Sequence, residues 1–309
     1  VEPGFLSAQQ GATALLNLAM AVLTGATLSQ AWLAGAPSGW AARKRALLPR
    51  LAWTMLALAA LASVAVLWFE AALLAEVPPA HAGPEVLAVL TSTHYGRAWI
   101  GGAVALLAIA ATSTLRHRLA LGARLLAIGV FFYTRSMVSH AVGDGLVSLA
   151  VVLDWLHLVF ISVWVGEVVV AGLVTLARVG QASVQEHADM ARYVRALSTT
   201  ATFALGAIVV SGLFNGWRGL GGIGNLAGTA YGTALVVKLA FVAGAAALGG
   251  FSRFFVMPAV LATLRGGTHG GRRRPERHFV FILRIETLAL LGAIVAAAIL
   301  SSTPPPMAA

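Results

Sequence analysis

The residues able to do chemistry are few. The 309 residues contain eight histidines and no cysteine, so disulfides, thiolate ligands and cysteine-held iron–sulfur clusters are excluded, and soft-metal chemistry falls to methionine and histidine. His117, His187, His269 and His278 stand in basic stretches, where the ordinary reading is a solvated loop side chain. His81, His94, His140 and His157 do not. Asp154 and His157 are spaced i, i+3, as are Met137 and His140, so each pair shares a face if its segment is helical. A short turn around Gly143 and Gly145 would bring the two pairs to similar depth on adjacent antiparallel helices. Two imidazoles, a thioether and a carboxylate then converge. Imidazole with thioether suits copper, and the carboxylate serves either as a ligand or as the acceptor that fixes a histidine tautomer. The same residues admit two other readings: haem ligation by His140 and His157, and a structural role in which Asp154 and His157 merely satisfy each other.

Other ionisable groups stand inside apolar runs: Glu70, Arg135, Glu167, Lys238 and Glu286. Such residues are expensive in hydrocarbon and tend to mark pathways. Glu167 lies about 15 Å along a helix from His157 and cannot join the same site. It pairs in depth with Glu286 as an inner waypoint, or else Glu286 pairs with Arg284 or Arg253. Lys238 is placed to neutralise Asp154 or Glu70. Trp164, seven residues beyond His157 on nearly the same face, either walls that site or serves ordinary packing, and Trp32, Trp40, Trp53, Trp68, Trp99 and Trp217, near run ends, read as interfacial anchors. Glu76, His81, Glu85 and His94 occupy one polar connection, a candidate capture or docking surface whose default is a solvated loop.

The elements that position these groups are membrane spans. Hydrophobic residues make up 59% of the chain and charged ones 10%, against about 25% charged in soluble domains. Eight runs reach the roughly 20 residues needed to span: Ala8–Ala34, Leu51–Ala75, Ala98–Leu115, Leu121–His140, Leu149–Ala177, Thr199–Gly216, Tyr231–Ser252 and Phe279–Ser302. The expected fold is an all-α polytopic bundle with an amino-terminal four-span half, 1–140, and a carboxy-terminal one, 141–309. The net charge of +10 does not indicate nucleic acid, because the basic residues sit in short loops between apolar runs. They follow the odd-numbered spans, leaving only Arg97, Arg135, Arg218 and Lys238 elsewhere. By the positive-inside rule the loops after odd spans are cytoplasmic and both termini periplasmic. The first run has an acidic flank before it and a basic cluster after it, the reverse of a signal peptide, and reads as a retained span. Thr93-His94-Tyr95-Gly96 and Thr229-Ala230-Tyr231-Gly232 share Thr-x-Tyr-Gly before spans 3 and 7, a short echo compatible with a parallel four-plus-four duplication.

Ser139-His140, Asp154-x-x-His157 running into Trp164-Val165-Gly166, Arg195 with Ser198, Gly212-Leu213, Thr229-x-Tyr231-Gly232, Lys238, Arg253, Pro258, Glu286 and a proline-rich finish together resemble the copper resistance D (CopD) family. Thr93-x-Tyr95-Gly96-Arg97-x-Trp99 resembles its amino half. The resemblance implies an eight-span protein of the bacterial inner membrane that takes copper from periplasm to cytoplasm, often beside or fused to a small periplasmic copper-binding (CopC-like) carrier domain. Where the family usually has a second glycine after Trp-x-Gly, this chain has Glu167, a departure in the inner half of the path.

The expected function is therefore copper transport without enzymatic activity, with His140, His157, Asp154 and Met137 holding the metal. His94 and His81 serve outer capture, and Glu167 and Glu286 the inner path. No nucleotide-binding motif is present to drive transport. The alternatives are a haem-binding electron-transfer protein and a copper-delivery factor that does not transport.

Overall fold

The computed structural model describes residues 3–115, 117–139, 145, 147–177, 183–266 and 275–306. Every regular element among them is helical: α1 (Pro3–Leu33), α2 (Gly39–Leu74), α3 (Gly83–Ser92), α4 (His94–Thr114), α5 (Arg118–Ser136), α6 (Leu149–Val170), α7 (Val184–Leu220), α8 (Asn225–Gly228), α9 (Ala230–Phe251), α10 (Met257–Leu264) and α11 (Pro275–Ser301). Short π-helical turns follow α6, at Ala171–Thr175, and α9, at Ser252–Val256. Among the described residues eight helices are long and apolar enough to cross a membrane, and they coincide with the eight apolar runs of the sequence.

Their ends depart from expectation in one consistent way. Helix α2 has 36 residues and α7 has 37, or about 55 Å each at 1.5 Å per residue, well beyond a hydrocarbon core of about 30 Å. The basic residues Arg43, Lys44, Arg45, Arg192 and Arg195, expected in loops, lie in the helical extensions. The cause is local. Ser38 caps α2 by accepting the Ala41 N–H, and Ser183 caps α7 in a capping box with Glu186, so each helix starts before the hydrocarbon does.

At this basic end the cations cap other helices. Arg45 donates to the carbonyls of Leu33 and Ala36, closing α1. Three carbonyls around the irregular end of α6 are each taken: Thr175 by the Trp40 indole at 3.3 Å, Val174 by Lys44 at 2.6 Å and Gly172 by Arg284 at 3.4 Å. Exposed carbonyls and cations suit each other at helix C-termini.

Helices α1 and α6 form the centre of the bundle. A Cβ placed on Gly25 of α1 would lie 2.1 Å from the Gly166 carbonyl, and one on Gly166 would lie 1.9 Å from the Ala21 carbonyl. The two backbones therefore touch, the packing expected where small residues replace the hydrophobic effect as the means of helix association in lipid. Around this axis α2 packs on α1, α7 on α6, α5 on α4 and α11 on α9. Helices α7 and α9 present Phe203, Val210, Leu213, Val237 and Phe241 outward, the face that lipid would cover.

Two turns on the other end are built alike. Thr93 caps α4 and Thr229 caps α9; each hydroxyl donates to a carbonyl four residues back, on α3 or α8, and accepts the N–H of Gly96 or Gly232. Both glycines are required by close approach, since a Cβ would fall 2.2 Å from the Val89 oxygen at Gly96 and 2.3 Å from the Asn225 oxygen at Gly232.

Candidate functional site

Helix α6 carries Asp154, His157, Trp164 and Glu167 along one rod. It begins at the N-cap Ser148, whose hydroxyl accepts the Val151 N–H, so Asp154 lies about one and a half turns inside the helix and His157 the next turn down.

His157 is 7% exposed. Its Nδ1 stands 3.1 Å from the Ser211 hydroxyl on α7, and that hydroxyl donates its own proton to the Ala207 carbonyl at 2.7 Å. Ser211 can then only accept, so Nδ1 carries the proton and Nε2 presents a lone pair. This is the tautomer a metal ligand needs, fixed by a neighbouring oxygen. Gly212 makes the arrangement fit, because a Cβ there would lie 3.0 Å from the imidazole Cε1.

Asp154 faces the same helix. Its Oδ1 accepts from Asn215 Nδ2 at 3.3 Å and its Oδ2 has no hydrogen-bond partner among the described residues, with Ser136 and Ser139 at the end of α5 nearby. Lys238 of α9 and Arg135 both act on it electrostatically. Of the two acids that the sequence offered to Lys238, the lysine lies near Asp154.

Met137 closes α5 as its C-cap, and its carbonyl stands 2.8 Å from His94 Nε2. A carbonyl can only accept, so His94 Nε2 carries a proton and donates. His94 and Met137 are thus neighbours. His81 is apart from them, exposed on the Pro79–His81 turn. His140 lies outside the described residues, as do Gly143 of the same turn and His269. Among the described residues no three His, Asp or Glu side chains are grouped closely enough to hold a metal ion.

The inner acids have different surroundings. Glu286 of α11 is 2% exposed and its Oε1 accepts from the Trp164 indole at 3.1 Å, beside Gly249 of α9, where a Cβ would lie 3.1 Å from the same oxygen. Neither arginine offered to Glu286 by the sequence pairs with it. Arg253 donates to Ser198 and Thr202, and Arg284 to the Gly172 carbonyl. Trp164, read as a site wall or as packing, is a hydrogen-bond donor to a buried acid. Glu167 is fully buried, with neither carboxyl oxygen hydrogen-bonded, and acts electrostatically on Tyr193. Tyr193 hydrogen-bonds Ser29 at 2.9 Å.

Gln9, Ser211 and Asn215 escaped the sequence reading. Neutral polar side chains in apolar runs are the only signal they give.

Eight apolar helices, a backbone-to-backbone centre and buried polar side chains along one rod define a multi-pass membrane protein. The comparisons then give its family. The pattern described as Copper resistance protein D matches residues 191–300, and that described as Copper resistance protein D-like, N-terminal domain matches residues 7–149. The copper transport protein CutJ of Bacillus subtilis (strain 168) is 30% identical over 184 residues, which cover 57% of this chain and 30% of that protein. No solved structure matches. The chain belongs to the copper resistance protein D family, and it spans under a third of the length of the curated relative it matches.

Proposed function

We propose that the protein moves copper across the bacterial inner membrane, from a periplasmic CopC-like carrier to the cytoplasm. His140 and His157 are its principal ligands, and Asp154 and Met137 assist. The observation that supports this best is the His157–Ser211 pair: a buried imidazole held with its Nε2 lone pair free, one turn from a carboxylate, in a chain of a copper resistance family. His94, next to Met137, and His81 on the exposed turn serve capture. Glu167 and Glu286 serve the inner half of the path. The protein is not an enzyme in this reading, and the ion gradient or membrane potential supplies the drive.

Uptake of copper into sealed vesicles containing only this protein tests transport. Time-dependent accumulation that His157→Ala removes is expected. Binding without accumulation would leave a delivery factor, and a strong visible absorption band on purification would point to haem.

Direction depends on topology. With both termini periplasmic, a single cysteine at Gly222, between α7 and α8, reacts with a membrane-impermeant thiol reagent from the periplasmic side. One at Gly35, between α1 and α2, reacts only after the membrane is permeabilised. The opposite pattern would reverse the proposed direction.

A further inference from the structure

Two separate parts of the bundle carry the same polar arrangement. One shift of register along the chain carries Ser38, the N-cap of α2, onto Ser183, the N-cap of α7. The same shift carries Ala21 and Gly25, on the α1 side of the central crossing, onto Gly166 and Val170 of α6. It also carries Gln9 onto Asp154 and Glu70 onto Asn215. These last four residues form two equivalent bonds: Gln9 of α1 donates to Glu70 of α2 at 3.0 Å, and Asn215 of α7 donates to Asp154 of α6 at 3.3 Å. Each is one acid and one amide joining the first two long helices of its half, with acid and amide exchanged. The threonine-capped turns add a tyrosine to each. Tyr95 feels the charge of Glu70, and Tyr231 that of Asp154.

We infer that the chain is a parallel duplication of a four-span unit, and that Glu70 is the amino-half counterpart of Asp154, a second acid that shares Arg135 with it. Parallel repeats related by an axis along the membrane normal are a known way of building transporters. Arg135, near the end of α5, acts electrostatically on Glu70, on Tyr95 and on Asp154. One guanidinium thus stands within electrostatic range of two carboxyl groups without an ion pair to either, while Lys238 acts on Asp154 in addition. When a cation is bound at Asp154 and His157, the claim of Asp154 on Arg135 weakens, and Glu70 holds the guanidinium. Glu70 is in this way a positioning residue for cargo binding. The inference rests on the copper reading for its cargo, but the triangle of Glu70, Arg135 and Asp154 does not.

The test is a set of variants of the purified full chain, read by Cu(I) and Cu(II) titration and, without metal, by melting temperature. Glu70→Gln leaves Arg135 to Asp154 alone and is expected to weaken copper binding about tenfold, the effect of one charge at moderate distance in a protein. Glu70→Gln with Arg135→Gln is expected to return to within about threefold of the unaltered protein, a rescue that a merely structural glutamate would not allow. Gln9→Glu with Glu70→Gln, which moves the acid to α1 as Asp154 stands on α6, keeps copper affinity and remains informative if Glu70→Gln alone fails to fold. Unchanged affinity in Glu70→Gln, or the same loss with and without Arg135→Gln, overturns the inference. If the unaltered protein binds no copper, the copper reading fails, and the triangle is judged on melting temperature. Non-additive effects of Arg135→Gln with Glu70→Gln and with Asp154→Asn support it, and additive effects overturn it.

Discussion

Copper titration of purified variants is expected to show that His157→Ala and His140→Ala each remove most binding, by at least ~100-fold, beyond the 10–100-fold loss typical when an outer partner of a metal ligand is removed. The double variant should be little worse than either single one, because ligands of one site act as a unit and their effects do not add. Two milder variants separate ligation from support. Ser211→Ala frees the His157 ring to exchange tautomers and should cost about tenfold, while Asp154→Asn, if the carboxylate assists without ligating, falls in the same 10–100-fold range. Stoichiometry that persists in the double histidine variant would return both residues to a structural role.

The second large effect is on assembly. Gly166→Leu places a branched side chain where the Ala21 carbonyl already stands 1.9 Å from a bare Cβ. No rotamer relieves a clash that begins at the Cβ atom, so α1 and α6 must separate, and every helix packed on either of them follows. Overpacking in a well-packed core costs about 1–3 kcal/mol and occasionally more; here loss of the monodisperse folded species on size-exclusion chromatography is expected. Gly206→Ala on α7, where nothing lies within 4 Å of the added atom, should leave the melting temperature nearly unchanged. Equal behaviour of the two variants would contradict a backbone-to-backbone centre.

The spans were legible because hydrocarbon imposes length and composition directly on the sequence, and all eight apolar runs became helices. Their ends were not, because Ser38 and Ser183 start helices in residues too polar to register as apolar runs. The approach of Lys238 to Asp154 was legible as opposite charges at similar depth. The bond from Trp164 to Glu286 was not, since it depends on how α6 and α11 meet, far apart in sequence. Arg253 and Arg284 misled for a related reason: proximity along the chain suggested an ion pair, but a guanidinium near a helix end is as well served by hydroxyls and open carbonyls. Gln9 and Asn215 went unnoticed because an amide carries no charge and does not titrate, and so does not stand out as a ligand or proton carrier.

The carbonyls at the end of α6 bear on how the protein could move. Gly172, Val174 and Thr175 are tethered to α11 and to two residues of α2, and farther up the same helix Gly166 is pressed against α1. The lower third of this rod is therefore gripped by three helices. Trp164 and Glu167 lie beside the gripped part, and Asp154 and His157 lie about two to three turns above it. Helices α7 and α9 meet each other little and turn broad apolar faces outward, but α7 packs along α6 and α9 along α11. Because Ser211 and Asn215 of α7 hydrogen-bond His157 and Asp154 of α6, a movement of α7 away from α6 would release both groups at once.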